Sequence, residues 1–120
     1  MSRPKSKKFR DQLPEPARVR IGKIQEAFLA MDIVCTGTLS RRTKLCGKPA
    51  CICSRDPAAR HGPYFEWGRM KGGRLVGRMV SPQSARVIRK GIANYKAARR
   101  LLRAWENQTE ALIETIERRK

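Results

Sequence analysis

The sequence predicts a small α+β domain with an N-terminal helix, a zinc-knuckle plus β-hairpin sheet, and a long C-terminal helix. Cysteines cluster in mid-chain, β-forming residues flank a Gly-Gly pair, and apolar residues recur at helical spacing on either side. A chain of 120 residues is expected to form one domain. We predict a flexible basic arm over residues 1–16 and a single zinc-stabilised domain over residues 17–120. Within this domain we expect a helix over residues 17–33, the knuckle and hairpin over 35–80, and the long helix over 81–118.

The first helix is predicted from apolar residues that recur at steps of three and four. They are Ala17, Ile21, Ile24, Phe28 and Met31. Arg18, Arg20 and Lys23 lie on the opposite side, where they face solvent or a ligand. The segment before the helix is crowded with Lys and Arg and closes with Pro14 and Pro16, which is typical of a flexible arm.

The knuckle is predicted from the cysteines. Cys46, Cys51 and Cys53 fall within eight residues, and the only histidine, His61, follows eight residues later. Three thiolates and one imidazole are the ligand set of a closed, tetrahedral zinc site. We predict that Cys46, Cys51, Cys53 and His61 bind one structural zinc ion that contributes to folding. Two alternatives stay open: the cysteines are ordinary reduced residues, or Cys35, which better suits a small buried apolar position, replaces His61.

The hairpin is predicted from β-forming residues over 64–69 and 74–80, on the two sides of Gly72-Gly73. A short strand over residues 37–44 is expected to enter the knuckle. Tyr64, Phe65 and Trp67 are candidates for stacking on bases, but in so small a protein we expect two of the three to be buried.

The long helix begins at Ser81-Pro82, with serine as N-cap and proline in the first helical position. Its second half contains a short a/d seam. This predicted seam consists of Leu102, Trp105, Leu112 and Ile116. The seam packs either on the first helix or on a protein partner, which includes a second copy of the chain.

Charge is the main indication of function. There are 28 Lys and Arg and 10 acidic residues, which gives a net charge of +18 and a pI near 11.1. This imbalance favours a polyanionic partner, and seven basic residues with no acidic one occur between Ser81 and Arg103. We predict binding to nucleic acid, DNA rather than RNA, mainly through phosphates. The predicted contacts are Arg41, Arg42, Lys44, Lys48, Arg69, Lys71, Arg74, Arg78, Arg86, Arg89, Lys96, Arg100 and Arg103.

Other classes of function are less well supported. The single histidine is assigned to the metal, the acidic residues are scattered, and no glycine-rich phosphate loop precedes a helix, so we expect no enzymatic activity. No apolar run approaches the length of a membrane span, and no signal-like segment follows the basic start. We expect a cytoplasmic protein that does not bind membranes. The alternative function is a protein-interaction adaptor that uses the predicted seam, with the basic charge generic.

The motifs resemble a known family. The elements Gly37-Thr38-Leu39, Cys46-Gly47-Lys48-Pro49-x-Cys51-x-Cys53, His61-Gly62-Pro63-Tyr64 and Asn94-Tyr95 are similar to those of small bacterial and phage proteins with no assigned activity. The resemblance covers about residues 35–117 and leaves the first helix outside. It implies that the three clustered cysteines and the histidine form one unit without Cys35. It also implies an accessory role beside a mobile element, in recombination or transposition.

Overall fold

The computed structural model describes residues 9–44, 47–59 and 61–119; within them, the side chains of residues 10, 11, 44, 53 and 61 are not described. The main elements are helix α1 (Glu15–Leu29), strands β1 (Thr38–Lys44), β2 (His61–Lys71) and β3 (Arg74–Val80), and helix α2 (Pro82–Arg118). Short 3-10 turns occur at Phe9–Gln12, Ile52–Ser54 and Pro57–Ala59. The predicted α+β class is confirmed: along the chain, one helix precedes and one helix follows a three-stranded antiparallel sheet.

The chain divides into two compact units. We call Ile33–Tyr95 the sheet unit, and the described residues of Met1–Asp32 and Lys96–Lys120 the helical unit. Helix α2 contributes its first part to the sheet unit and its second part to the helical unit. Within the described residues, no helix contains a stretch long and apolar enough to span a bilayer.

In the helical unit, α1 presents the predicted apolar stripe. Ile21 and Ile24 are buried, and the other members of the stripe are half-buried. The helix begins two residues earlier than predicted, because Pro16 is accommodated in the first turn, where its missing N–H is not needed. It ends at Leu29. The ring of Phe28 lies 5.8 Å from that of Trp105 in a tilted arrangement, so α1 packs against the second part of α2.

The predicted seam of α2 does not form one continuous contact face. Trp105 and Leu112 are half-buried, whereas the side chains of Leu102 and Ile116 are 51% and 49% exposed. On a helix of 3.6 residues per turn these four positions lie within an arc of about 80°, so they share one side and differ only in how far each is covered. Ile113, which the seam prediction omitted, is also exposed.

In the sheet unit, the three strands form an antiparallel meander in the order β1-β2-β3. The predicted hairpin is confirmed, and β3 has the predicted extent. Lys71 pairs with Arg74, so the turn has two residues, Gly72 and Gly73, with φ of +58° and +78°. Positive φ at both positions matches the right-handed twist of the strands and favours glycine at each position.

The segment before β1 joins the sheet to α2. The N–H of Cys35 donates to the carbonyl of Gly91 at 3.2 Å, and its thiol donates to the carbonyl of Ile88 at 3.5 Å. The amide Nδ2 of Asn94 donates to the carbonyl of Ile33 at 2.8 Å. A Cβ at position 91 would lie 2.6 Å from the sulfur of Cys35, so glycine permits this close approach.

Helix α2 begins as predicted. The hydroxyl of Ser81 accepts a hydrogen bond from the N–H of Ser84 at 3.1 Å, which is the N-cap interaction. Ala85 and Ile88 follow on the buried side of the helix and provide the described apolar core of the sheet unit. The N-cap fixes where the helix starts, and the periodicity then fixes which side faces inward.

Candidate nucleic-acid interface and metal motif

The register of the sheet places five predicted contact residues on one face. Residues directly opposite one another in antiparallel strands point to the same side, and β2 alternates from one residue to the next. Trp67 pairs with Arg78, Lys71 with Arg74, and Phe65 with Arg41. We call this surface the basic sheet face; its basic residues are Arg41, Arg69, Lys71, Arg74 and Arg78. No Asp or Glu of the described strands lies on it.

Arg42 lies on the other face of the sheet. Its Nη2 atom is 3.5 Å from Oε1 of Glu66. Glu66 is the single acidic residue in the sequences of β1, β2 and β3. Both side chains are solvent-accessible, so this ion pair adds little stability. The charge of Arg42 is therefore partly balanced, whereas the basic sheet face has no acidic residue among the strand residues that the structure describes.

Trp67 is held in a fixed orientation on the basic sheet face. Its indole N–H donates to the carbonyl of Thr36 at 2.9 Å, and the guanidinium of Arg69 lies 3.9 Å from the ring centre. The backbone approaches this closely because Gly37 has a φ of +113° and a Cβ there would meet the indole nitrogen at 2.7 Å. Arg69 is therefore partly committed to the indole.

The prediction that two of the three strand aromatics are buried is wrong. Phe65 and Trp67 are only half-buried, and Tyr64 is exposed. Trp67 lines a groove of about 760 Å³ beside this part of the sheet, so its ring is not fully covered, whereas Tyr64 lies on the other face with Arg42. The lining of the groove is mostly apolar, with Val87 and Ile88 from α2, and it includes Arg78 as a cationic side chain.

The predicted contacts on α2 are exposed in both units. In the sheet unit, Arg86 and Arg89 are exposed, as is Lys90, which the prediction omitted although it follows Arg89 directly. In the helical unit, the exposed residues are Lys96, Arg100 and Arg103. The first part of α2 also contains no acidic residue.

The knuckle is described only in part. Cys46 lies outside the described residues, and the side chains of Lys44, Cys53 and His61 are not described; Lys48 is exposed. Among the described side chains, no group of three His, Cys, Asp or Glu is placed to hold a metal ion. The predicted ligand set is therefore neither confirmed nor contradicted by the structure.

The backbone around Cys51 is nevertheless tightly turned. The N–H of Cys51 donates to the carbonyl of Lys48 at 3.1 Å, and the Cys51 carbonyl accepts from the N–H and the hydroxyl of Ser54 at 3.1 and 2.8 Å. In the sheet, Lys44 pairs with His61. The start of β2 is thus tied to the end of β1, which precedes the cysteine cluster in sequence.

Comparison with known proteins gives one family. Residues 10–90 match a family described as a domain of unknown function, DUF6788. The match includes α1, which the resemblance over residues 35–117 left outside, and it ends at residue 90, within α2. No curated protein and no solved structure matches the chain.

Proposed function

The chain belongs to the DUF6788 family, which has no assigned function, and we propose that this member binds nucleic acid, duplex DNA in preference to RNA, through its sheet unit. The observation that carries the proposal is the basic sheet face, where five Lys and Arg side chains share one surface with no acidic neighbour among the described strands. Such a surface attracts phosphates and releases the counterions condensed on DNA.

The distribution of charge supports the same unit. Residues 33–95 contain thirteen Lys and Arg against two acidic residues, whereas residues 1–32 and 96–120 together contain fifteen against eight. The positive excess is therefore larger in the sheet unit, and Arg86, Arg89 and Lys90 add to it from the first part of α2. Solvated surfaces usually alternate in sign, and this one does not.

The experiment measures binding to labelled duplex DNA, single-stranded DNA and RNA across a salt series. The test variant changes Arg41, Arg74 and Arg78 to Gln. The slope of log K against log salt is negative, and each lost phosphate contact makes it less steep by about 0.9. For duplex DNA we therefore expect the magnitude of the slope to fall by up to about 2.7 in the triple variant. Duplex binding by the wild type is expected to persist at physiological salt.

The matched control removes the same charge from α1. Arg18, Arg20 and Lys23 are exposed on the helical unit, and their change to Gln should leave the slope nearly unchanged. If both variants lower affinity equally, the attraction is generic and the basic sheet face has no special role. A wild type whose binding vanishes by physiological salt contradicts the proposal outright.

We also propose that Cys46, Cys51, Cys53 and His61 hold a structural zinc ion. The chemistry of the ligand set fits zinc, and the turns around Cys51 and the pairing of position 61 with the end of β1 support it. A bound zinc ion would supply a crosslink that links the knuckle to β2.

Metal analysis tests the zinc proposal. Wild-type protein should hold zinc near one equivalent, Cys51→Ser should lose it, and Cys35→Ser, the matched control, should keep it. Cys35 serves as the control because its thiol donates a hydrogen bond to a backbone carbonyl of α2 and is not part of the predicted ligand set. Retention of zinc by Cys51→Ser, or a folded wild type without zinc, contradicts the proposal.

The adaptor function stays as a second candidate, because α2 exposes apolar residues in the helical unit. Leu102, Ile113 and Ile116 are each about half exposed, although the chain there is otherwise rich in charge. A surface of this kind suits a helical partner or a second copy of the chain. If the molecular mass in solution is that of a monomer at all concentrations, self-association through this surface is excluded. If the Leu102→Ser, Ile116→Ser double variant captures a partner as well as the wild type does, the adaptor function is excluded.

A further inference from the structure

The tip of the β2–β3 hairpin extends beyond β1. The last residue pair that includes β1 joins Thr38 to Gly68. Beyond it, Met70 pairs with Leu75 and Lys71 with Arg74 in β2 and β3 alone, and the Gly-Gly turn closes the end. The tip is therefore a two-stranded ribbon, an element narrow enough to enter a groove of duplex DNA.

The two faces of this ribbon differ in chemistry. Met70 and Leu75 stand directly opposite each other on one face, and their side chains are 64% and 76% exposed. The next pair on that face is Gly68 with Gly77, so no larger side chain flanks the two. Lys71 and Arg74, also directly opposite each other, occupy the basic sheet face at the same end.

An apolar pair at the end of a cationic ribbon is typical of a wedge. Proteins that deform DNA insert Met, Leu or similar side chains between base pairs, unstack one step, and bend the duplex by about 20–90°. The insertion needs cations close by to hold the flanking phosphates, because the backbone contacts supply most of the affinity. The hairpin tip combines both requirements within six residues of chain.

We propose that Met70 and Leu75 insert as a wedge into duplex DNA while Lys71 and Arg74 contact the adjacent phosphates, so that binding bends the DNA. This inference rests on the proposed function and specifies its ligand as a deformable duplex.

The structure favours DNA over two other occupants of the tip. A surface that binds a membrane needs a broad apolar face, and a stable protein interface buries about 800 Å² on each partner. The apolar surface of the tip centres on two side chains, which is too small for either. The strands of the hairpin contain one acidic residue, Glu66, which lies beside Arg42 away from the tip. The charge of the ribbon is complementary to phosphates.

The test measures binding and bending on the same duplex. Fluorescence anisotropy reports binding to a duplex of about 30 base pairs with a flexible pyrimidine–purine step at its centre, and energy transfer between its end labels reports bending. Wild-type protein at saturation should shorten the end-to-end distance. Met70→Ser with Leu75→Ser should keep the salt slope and lose no more than roughly tenfold in affinity, but leave the duplex straight.

Two further variants keep the test decisive. Leu102→Ser with Ile116→Ser removes an exposed apolar pair of the helical unit and should bend DNA as the wild type does. Met70→Leu with Leu75→Met retains apolar side chains and should also bend it. Circular dichroism checks that each variant is folded.

The outcomes separate the inference from the proposed function. No binding in the anisotropy measurement overturns both. Binding without a change in energy transfer, or full bending by the Met70→Ser, Leu75→Ser variant, overturns the wedge and leaves the nucleic-acid function standing. A change in molecular mass with that variant, with no change in bending, assigns the tip to a protein contact and also overturns the wedge.

Discussion

Replacement of Gly91 by alanine tests how the sheet unit is held together. In an ordinary helix this change is stabilising by about 0.8–1.0 kcal/mol, since glycine has the larger conformational entropy to lose. Here the new Cβ would lie 2.6 Å from the sulfur, 3.1 Å from the backbone nitrogen and 3.4 Å from the Cβ of Cys35. The backbone nitrogen cannot move aside as a flexible side chain does, so the segment before β1 must shift away from α2.

The opposing terms give a net loss. Overpacking costs about 1–3 kcal/mol. The hydrogen bond from the Cys35 N–H to the Gly91 carbonyl is then lengthened or lost, which adds about 0.5–1.5 kcal/mol. After the gain in helix propensity is subtracted, we expect Gly91→Ala to destabilise the fold by roughly 1–3 kcal/mol.

Gly22→Ala is the matched control. Gly22 lies in the interior of α1, and a Cβ there would have no heavy atom within 4 Å. The same substitution should therefore stabilise the chain by up to about 1 kcal/mol. Urea and thermal unfolding followed by circular dichroism measure both changes, and each kcal/mol should shift Tm by roughly 3–5 °C.

A second variant identifies the atoms responsible. Cys35→Ala removes the sulfur that would be closest to the new Cβ, so it should restore part of the stability of Gly91→Ala. The coupling between the two positions should exceed about 0.5 kcal/mol, as for residues in direct contact. If Gly91→Ala is as stable as the wild type, or if the two changes are additive, the contact described for Cys35 is not what requires glycine.

Two further predictions concern local structure. Ser81→Ala removes the side-chain cap of α2 and should lower the free energy of unfolding by about 1 kcal/mol, as measured by urea titration. An unchanged unfolding midpoint would show that the cap does not stabilise the fold. Gly73→Ala forces alanine to adopt a φ of +78° and should lower the free energy of unfolding by about 1–2 kcal/mol. Gly68→Ala, where a Cβ would have no heavy atom within 4 Å, should lower it much less. Equal losses of stability in the two variants would contradict the turn assignment.

Local signals made much of the fold predictable. The extent of β3, the two-glycine turn and the serine N-cap all depend on residues that are close in sequence, so their patterns were sufficient. The apolar stripe of α1 was equally clear, because one helix face must be buried whatever covers it. The helix boundaries differed by a few residues, as proline in the first turn extended α1 toward the N-terminus.

Contacts between distant residues limited the rest. In the sequence, Gly91 is simply a residue of low helix propensity, and the reason for a glycine there is the approach of Cys35, which is 56 positions away in the chain. The seam of α2 was predicted as one contact face, but its residues differ in exposure, and the packing of Phe28 on Trp105 depends on α1 as well as on α2. The basic sheet face required the strand register, which places Arg41 and Arg42 on opposite sides although they are adjacent in sequence.

The two proposed surfaces differ in the unit that carries them. The basic sheet face and the hairpin tip belong to the sheet unit, whereas the exposed apolar residues Leu102, Ile113 and Ile116 belong to the helical unit, whose charges are more nearly balanced. Because each surface is formed within its own compact unit, we expect changes at one surface to leave binding at the other intact. Combined loss of DNA binding and partner capture from changes at one surface would mean that a single partner uses both, and the proposal of independent roles would then fail.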